Sequence, residues 1–142
     1  MSKFIDNFPV SFSFSASIPV RITDINYGGH VGNDKILSII HEARIRYLHH
    51  LQYSELNFGS TGLIMKQVAI DFIKESFYGD TLEISVTAGE FTTTAFTLFY
   101  KLERTTSDAT VIVALAKTVM VCYDYQKRRV AALKDDIKQQ LI

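Results

Sequence analysis

The chain has 142 residues, nearly half of them apolar, which fits one domain of ordinary size over residues 1–142 with a full core. Its 15 basic and 15 acidic residues leave no net charge, which argues against nucleic acid as a partner, because phosphate binding shows as a basic excess. The single cysteine excludes an internal disulfide and a cysteine-based zinc site. No stretch approaches the ~18 uninterrupted apolar residues of a membrane span, and the N-terminal MSKFIDNFPVSFSF lacks a signal-type apolar core, so a cytoplasmic protein is expected.

In chain order, residues 10–22 alternate, with Val10, Phe12 and Phe14 set against Ser11, Ser13 and Ser15, which predicts a strand sharing one face. Pro19 places that strand at an edge or a bend. The segment DINYGGHVGND, residues 24–34, then packs polar residues and three glycines directly ahead of an apolar run. Asp34–Leu51 reads as one long helix. Ile36, Leu37, Ile39, Ile40, Ala43, Tyr47, Leu48 and Leu51 fill one arc, and Lys35, Ser38, Glu42, Arg46 and His49 fill the other. Asn33 or Asp34 is the expected cap.

Beyond the loop NFGSTG the period changes to two. Ile64, Val68, Ile70 and Phe72 form one strand face; Tyr78-Gly79-Asp80 is a turn. Leu82, Ile84, Val86 and Ala88 alternate with Glu83, Ser85 and Thr87, and Phe96, Leu98, Tyr100 and Leu102 repeat the pattern. Thr110–Tyr123 is apolar on both faces, as expected of a central strand or one at a subunit contact. A short polar tail, Lys134–Leu141, ends the chain as a helix. One strand, a long helix and four strands joined by short turns predict an α+β fold. In it, an antiparallel sheet of about five strands curves around one helix.

On this pattern of elements, Arg21-x-x-Asp24-x-Asn26-x-x-Gly29-His30-Val31-x-Asn33 resembles the R-x-x-D-x-D-x-x-G-H-V-x-N segment of hotdog-fold acyl-CoA thioesterases, the 4-hydroxybenzoyl-CoA thioesterase group among them. Glu42-Ala43-Arg44 with Tyr47-Leu48 is similar to the E-A-R-x-x-Y-L of that group's central helix. Tyr78-Gly79-Asp80 with Leu82-Glu83-Ile84 is similar to its Y-G-D-x-L-E-I turn and strand. The resemblance spans residues 18–130. It implies a hotdog fold, an acyl-CoA thioester as substrate, and a homodimer or homotetramer in which two sheets join edge to edge with active sites at the interface. No cofactor is implied. One departure stands out: the second acidic position, which in many members supplies the catalytic carboxylate, is Asn26. Asparagine takes no proton at neutral pH and is a poor nucleophile. Another carboxylate acts instead, or Asn26 orients water, or the activity has changed.

Thioester hydrolysis needs a nucleophile and donors for the developing oxyanion. A helix N-terminus supplies free N–H groups and the positive end of its dipole. Gly28, Gly29 and Gly32 allow a tight turn and a close approach, and the N–H groups of Gly32, Asn33 and Asp34 are the expected donors to the thioester carbonyl. The candidate bases are His30, which otherwise anchors its turn, Asp34, which otherwise caps the helix, and Glu42, which otherwise pairs with Arg46. Arg44 falls inside the apolar arc and needs a buried partner, for which Asp24 or Asp71 is available. Cys122 reads as a core residue. His41, His49 and His50 do not share one helix face, so no metal site is expected. Lys127, Arg128 and Arg129 either meet CoA phosphates or form a solvated turn. Two alternatives stay open: a non-catalytic acyl-thioester binding protein, and a hotdog hydratase or dehydratase, whose D-x-N-x-x-H pattern fits Asp24, Asn26 and His30 with one residue too many.

Overall fold

The computed structural model describes residues 7–142. Residues 1–6, the start of the segment read as lacking a signal-type core, lie outside the described residues. Strand β1 (Phe14–Pro19) and a 3-10 turn at Ile22–Asp24 lead to helix α1 (Asn33–His50). Then follow β2 (Gly62–Phe72), β3 (Thr81–Gly89), β4 (Ala95–Thr105), β5 (Thr110–Asp124), the two-residue β6 (Arg129–Val130) and α2 (Asp135–Leu141). All strand pairs are antiparallel in the order β1-β3-β4-β5-β2, with β6 added to β5. The expected sheet is present, with the short β6 as an addition. Among the described residues no helix is long and apolar enough to cross a membrane.

The sheet forms around α1 because its inner face is the apolar face of each period-two segment. Leu82, Ile84 and Val86 of β3, Phe96, Leu98, Tyr100 and Leu102 of β4, and Ala114, Ala116, Met120 and Cys122 of β5 join Ile36, Ile39, Ile40, Ala43, Tyr47 and Leu48 of α1 in one core. The small side chains of β5 leave volume for the larger ones of the helix. Fully burying each large apolar side chain contributes roughly 1.5–3 kcal/mol. The helix runs one residue earlier at each end than its periodicity predicts. Its N-cap is Gly32, whose carbonyl accepts the N–H groups of Lys35 and Ile36. Neither Asn33 nor Asp34 caps it: both lie within the first turn, and no side chain accepts from the helix start.

Two sequence expectations fail where strands depart from regular alternation. A bulge between Met65 and Gln67 shifts the register of β2 against β5. Val68, Ile70 and Phe72 stand opposite the inward Thr118, Ala116 and Ala114, but Ile64 stands opposite the outward Val121, so Leu63 and Met65 share the inner face instead. At the N-terminal side, pairing begins only at Phe14. Phe14 packs edge-on to Tyr47 inside, whereas Phe12 lies with Phe8 and under the Lys101 ammonium on the outer face, and Val10 is exposed. Pro19 does end an edge strand, and β5 is an internal strand paired on both sides, as read from the sequence.

Arg44 is buried as its helical position requires, but its partner is Glu55, not Asp24 or Asp71. Asp24 is tied to the helix start, about 18 Å along the axis from Arg44, while Glu55 sits in the loop beyond the C-terminus, within reach. Arg44 Nε donates to Glu55 at 2.8 Å, and Nη1 approaches the Tyr100 hydroxyl, which shares a 2.7 Å hydrogen bond with Thr118. Burial opposes the guanidinium's charge, yet Tyr100 and Glu55 outweigh it and hold its pKa above the ordinary arginine value. Cys122 is buried, and burial pushes its thiol up to about 11. By contrast Glu42 and Arg46 form an exposed 2.8 Å pair one turn apart. Replacing Arg44 with Ala is expected to cost about 3–5 kcal/mol in urea unfolding, because Glu55 then loses its buried partner. Glu42→Gln is expected to cost less than about 0.5 kcal/mol; equal effects of the two would contradict the core role of Arg44.

Candidate active site

The loop between the 3-10 turn and α1 is folded by its own backbone. Asn26 N–H donates to the His30 carbonyl at 2.9 Å, Gly29 N–H to the Asn26 carbonyl, and Gly32 N–H to the Asp24 carbonyl at 3.1 Å. Asn26 Oδ1 accepts the Gly28 N–H. Asp24 is buried, accepts the Arg21 N–H at 2.9 Å and lies 3.5 Å from the Arg21 guanidinium. Gly29 has φ +84°, a conformation that glycine adopts at no steric cost. Much of the polarity concentrated in residues 24–34 thus builds the loop itself.

What remains is the start of α1. The Gly32 N–H is taken by Asp24, so it is not one of the donors expected there. Within the described residues the N–H groups of Asn33 and Asp34 have no backbone partner, as the first turn of a helix dictates. Both side chains are exposed.

A second wall faces this helix start. The Val31 N–H donates to the Ser76 carbonyl at 2.9 Å, fixing the segment between β2 and β3 beside His30. A bulge between Leu102 and Glu103 on β4 leaves Val113 of β5 out of register, and its carbonyl receives both the Ile73 and Lys74 N–H groups. The far side of the segment is held by Arg104 Nε on the Glu75 carbonyl and by the Asp80 carboxylate on the Phe77 N–H. Between these walls lies a cleft of about 360 Å³, lined on one side by His30, Val31, Asn33 and Ile36 and on the other by Phe72–Ser76 with Val113. That volume is within the range of small-molecule sites, ~300–1,000 Å³.

The structure brings some sequence candidates together and separates others. His30 and Asn33 line the cleft. Asn26 stands beside His30: a Cβ built on Gly28 would lie 3.2 Å from Asn26 Oδ1 and 3.4 Å from His30 Nε2. Asp34 is on the first turn but does not line the cleft. Glu42 lines a different hollow with Arg46, Arg21 and Asp24, so it and Asp34 do not share one site. His41 reaches Glu55, and the His50 ring packs at a tilt against Phe14. Lys127, Arg128 and Arg129 are exposed beyond Asp124, at the end of β5 opposite Val113. Four cleft residues, Ile73, Lys74, Glu75 and Ser76, belong to no motif or periodic segment singled out in the sequence. Only the Val113 bulge and the Val31–Ser76 bond bring them to the helix start.

Known proteins share this fold. The sequence profile of the thioesterase-like superfamily matches residues 20–141. A 1,4-dihydroxy-2-naphthoyl-CoA hydrolase from Nostoc punctiforme is 31% identical over 135 residues, covering 91% of this chain and 86% of its own. The crystal structure of a 1,4-dihydroxy-2-naphthoyl-CoA thioesterase from Synechocystis has a TM-score of 0.79 at 24% identity, covering 90% of this chain and 94% of that one. A 4-hydroxybenzoyl-CoA thioesterase, crystallised with 4-hydroxybenzoyl-CoA as a mutant carrying asparagine for an aspartate, has a TM-score of 0.80 at 17% identity over 93% of this chain and all of its own. The fold is the hotdog of these thioesterases. The chain belongs to the thioesterase-like superfamily.

Proposed function

We propose that this chain hydrolyses an acyl-CoA thioester in the cleft between the start of α1 and the β2–β3 segment. The observation that carries the reading is the pair of free N–H groups, on Asn33 and Asp34, at the positive end of an 18-residue helix that opens beside this cleft. Donors placed where an oxyanion forms are among the largest contributions to acyl-transfer catalysis. The thioester carbonyl rests on these N–H groups, and water attacks it with His30 as the base. His30 is the one candidate base that lines the cleft. Asn26, next to His30, orients the water or the carbonyl. Ile36, Phe72, Ile73 and Val113 give the cleft an apolar part sized for a compact acyl group. With the aromatic acyl groups named for the relatives, this favours an aromatic acyl-CoA, whose CoA portion extends out of the cleft.

The test is release of free thiol from a panel of aromatic and straight-chain acyl-CoAs. Turnover is expected with aromatic acyl groups. His30→Ala is expected to lower kcat by about 10²–10⁴-fold, as for loss of a general base, whereas Glu42→Gln and Asp34→Asn retain near-wild-type turnover. Loss of activity in Glu42→Gln with His30→Ala intact would move the base to the other hollow. Tight binding without turnover would instead support the acyl-thioester binding reading that Asn26 raises, and loss of enoyl absorbance without thiol would support a hydratase.

We further infer a homodimer, or a tetramer of such dimers, joined along β2. Among the described residues this 11-residue strand pairs only with β5, and Ile64, Met65, Val68 and Phe72 along it are exposed. A long edge strand with apolar side chains is a template for pairing. Phe72 and Ile73 line the cleft, so a partner on this edge stands beside the site. Light scattering at micromolar concentration is expected to give at least twice the 16.1 kDa chain mass; a monomer alone would contradict the interface.

A further inference from the structure

The superfamily resemblance leaves Asn26 where a carboxylate is expected, and the cleft holds one that no motif marks. Glu75 Oε2 lies 3.5 Å from His30 Nε2. The other ring nitrogen, Nδ1, is 3.1 Å from the Val31 carbonyl. A carbonyl oxygen only accepts, so Nδ1 carries the hydrogen and the neutral ring presents Nε2 as an acceptor. Two acceptors, Nε2 and the Glu75 carboxylate, therefore face the same small space with no hydrogen between them. A water molecule beside both satisfies them by donating one hydrogen to each, which leaves its lone pairs free. Ser76, which follows Glu75, lines the same cleft and is 2% exposed.

Building on the thioesterase reading, we propose that Glu75 supplies the carboxylate missing at Asn26, cradling the attacking water with His30 and stabilising the imidazolium that forms. The water oxygen bonds to the thioester carbon as one of its protons passes to Nε2, and the carbonyl becomes an oxyanion on the Asn33 and Asp34 N–H groups. The imidazolium then faces the Glu75 carboxylate. The oxyanion collapses, the carbon–sulfur bond breaks, and the proton returns from Nε2 to the leaving thiolate, giving a carboxylic acid and a thiol. The segment carrying Glu75 suits this role because it is pinned on three sides, by Val31 on Ser76, Val113 on Ile73 and Lys74, and Arg104 on Glu75 itself.

The experiment compares Glu75→Gln, Glu75→Ala and Glu75→Asp with wild type on whichever acyl-CoA the wild type turns over. Glu75→Gln and Glu75→Ala are expected to lose roughly a hundredfold in kcat. That is less than the ~10⁴ lost when a buried carboxylate is removed from a serine-protease histidine, since the Glu75 side chain is 62% exposed. KM is expected to stay within about twofold, as for an interaction made only in the transition state. Glu75→Asp should keep part of the activity, and formate should restore Glu75→Ala but not Glu75→Gln, a rescue that a merely structural role would not show. Full kcat in Glu75→Gln and Glu75→Ala, with His30→Ala inactive, would overturn the proposal while leaving the thioesterase reading standing. Absence of thiol release by the wild type would overturn that reading and the proposal with it. Nitrogen-15 NMR gives a readout independent of turnover: the His30 ring, identified by its absence in His30→Ala, is expected to carry its hydrogen on Nδ1. A neutral ring protonated on Nε2 would overturn the proposal whatever the activity.

Discussion

The hydrogen bond from the Val31 N–H to the Ser76 carbonyl joins two parts of the chain that lie far apart in sequence. One is the glycine-rich loop that starts α1; the other is the connection between β2 and β3. With the Gly32–Asp24 and Asn26–His30 bonds it fixes the path of the loop. The N–H groups of Asn26, Gly29, Val31 and Gly32 are all consumed, and those of Asn33 and Asp34 alone open the helix with nothing to bind. A chain that places so many polar and flexible residues before an apolar helix therefore uses most of them to hold the last two donors in place.

The two ends of α1 divide the work of the fold. At its start the polar side chains stay open: Asn33 and Asp34 are exposed, and His30 is half-buried. Toward its C-terminus the helix carries a charge into the core, where Arg44, Glu55, Tyr100 and Thr118 form one hydrogen-bonded chain. Replacing one member leaves a buried group without its partner, so this network resists piecemeal change. The rigid end fixes the helix against the sheet; the open end presents donors to a ligand. Irregularity in the sheet serves the same end. The bulge that frees Val113 from its ladder is what lets its carbonyl gather Ile73 and Lys74 and form the second wall of the cleft.

The helix, the inward faces of β3 and β4 and the internal place of β5 were legible because each rests on periodicity, which a sequence displays directly. So was the burial of Arg44, from its angle on the helix. Its partner was not, because Glu55 is brought to it by a loop whose path periodicity does not describe. Ile64 and Phe12 were assigned to the wrong faces for one reason: a bulge at Lys66 and the departure of the chain from the sheet before Phe14 each reverse the alternation, and neither leaves a glycine or proline to mark it. In the candidate site, the helix start and His30 could be read from the motif. Glu75 and Ser76 could not, since they enter the cleft only through pairings that span dozens of residues.

The proposed chemistry depends on where a thioester carbonyl sits. A crystal structure with an acyl-CoA analogue whose sulfur is replaced by methylene, and which water therefore cannot cleave, locates it directly. The carbonyl oxygen is predicted to lie about 3 Å from the Asn33 and Asp34 nitrogens, the distance of an oxyanion-hole donor, with the acyl group between Ile36 and Phe72. A carbonyl found in the hollow beside Glu42 and Arg46, or an acyl group bound away from the start of α1, would contradict it.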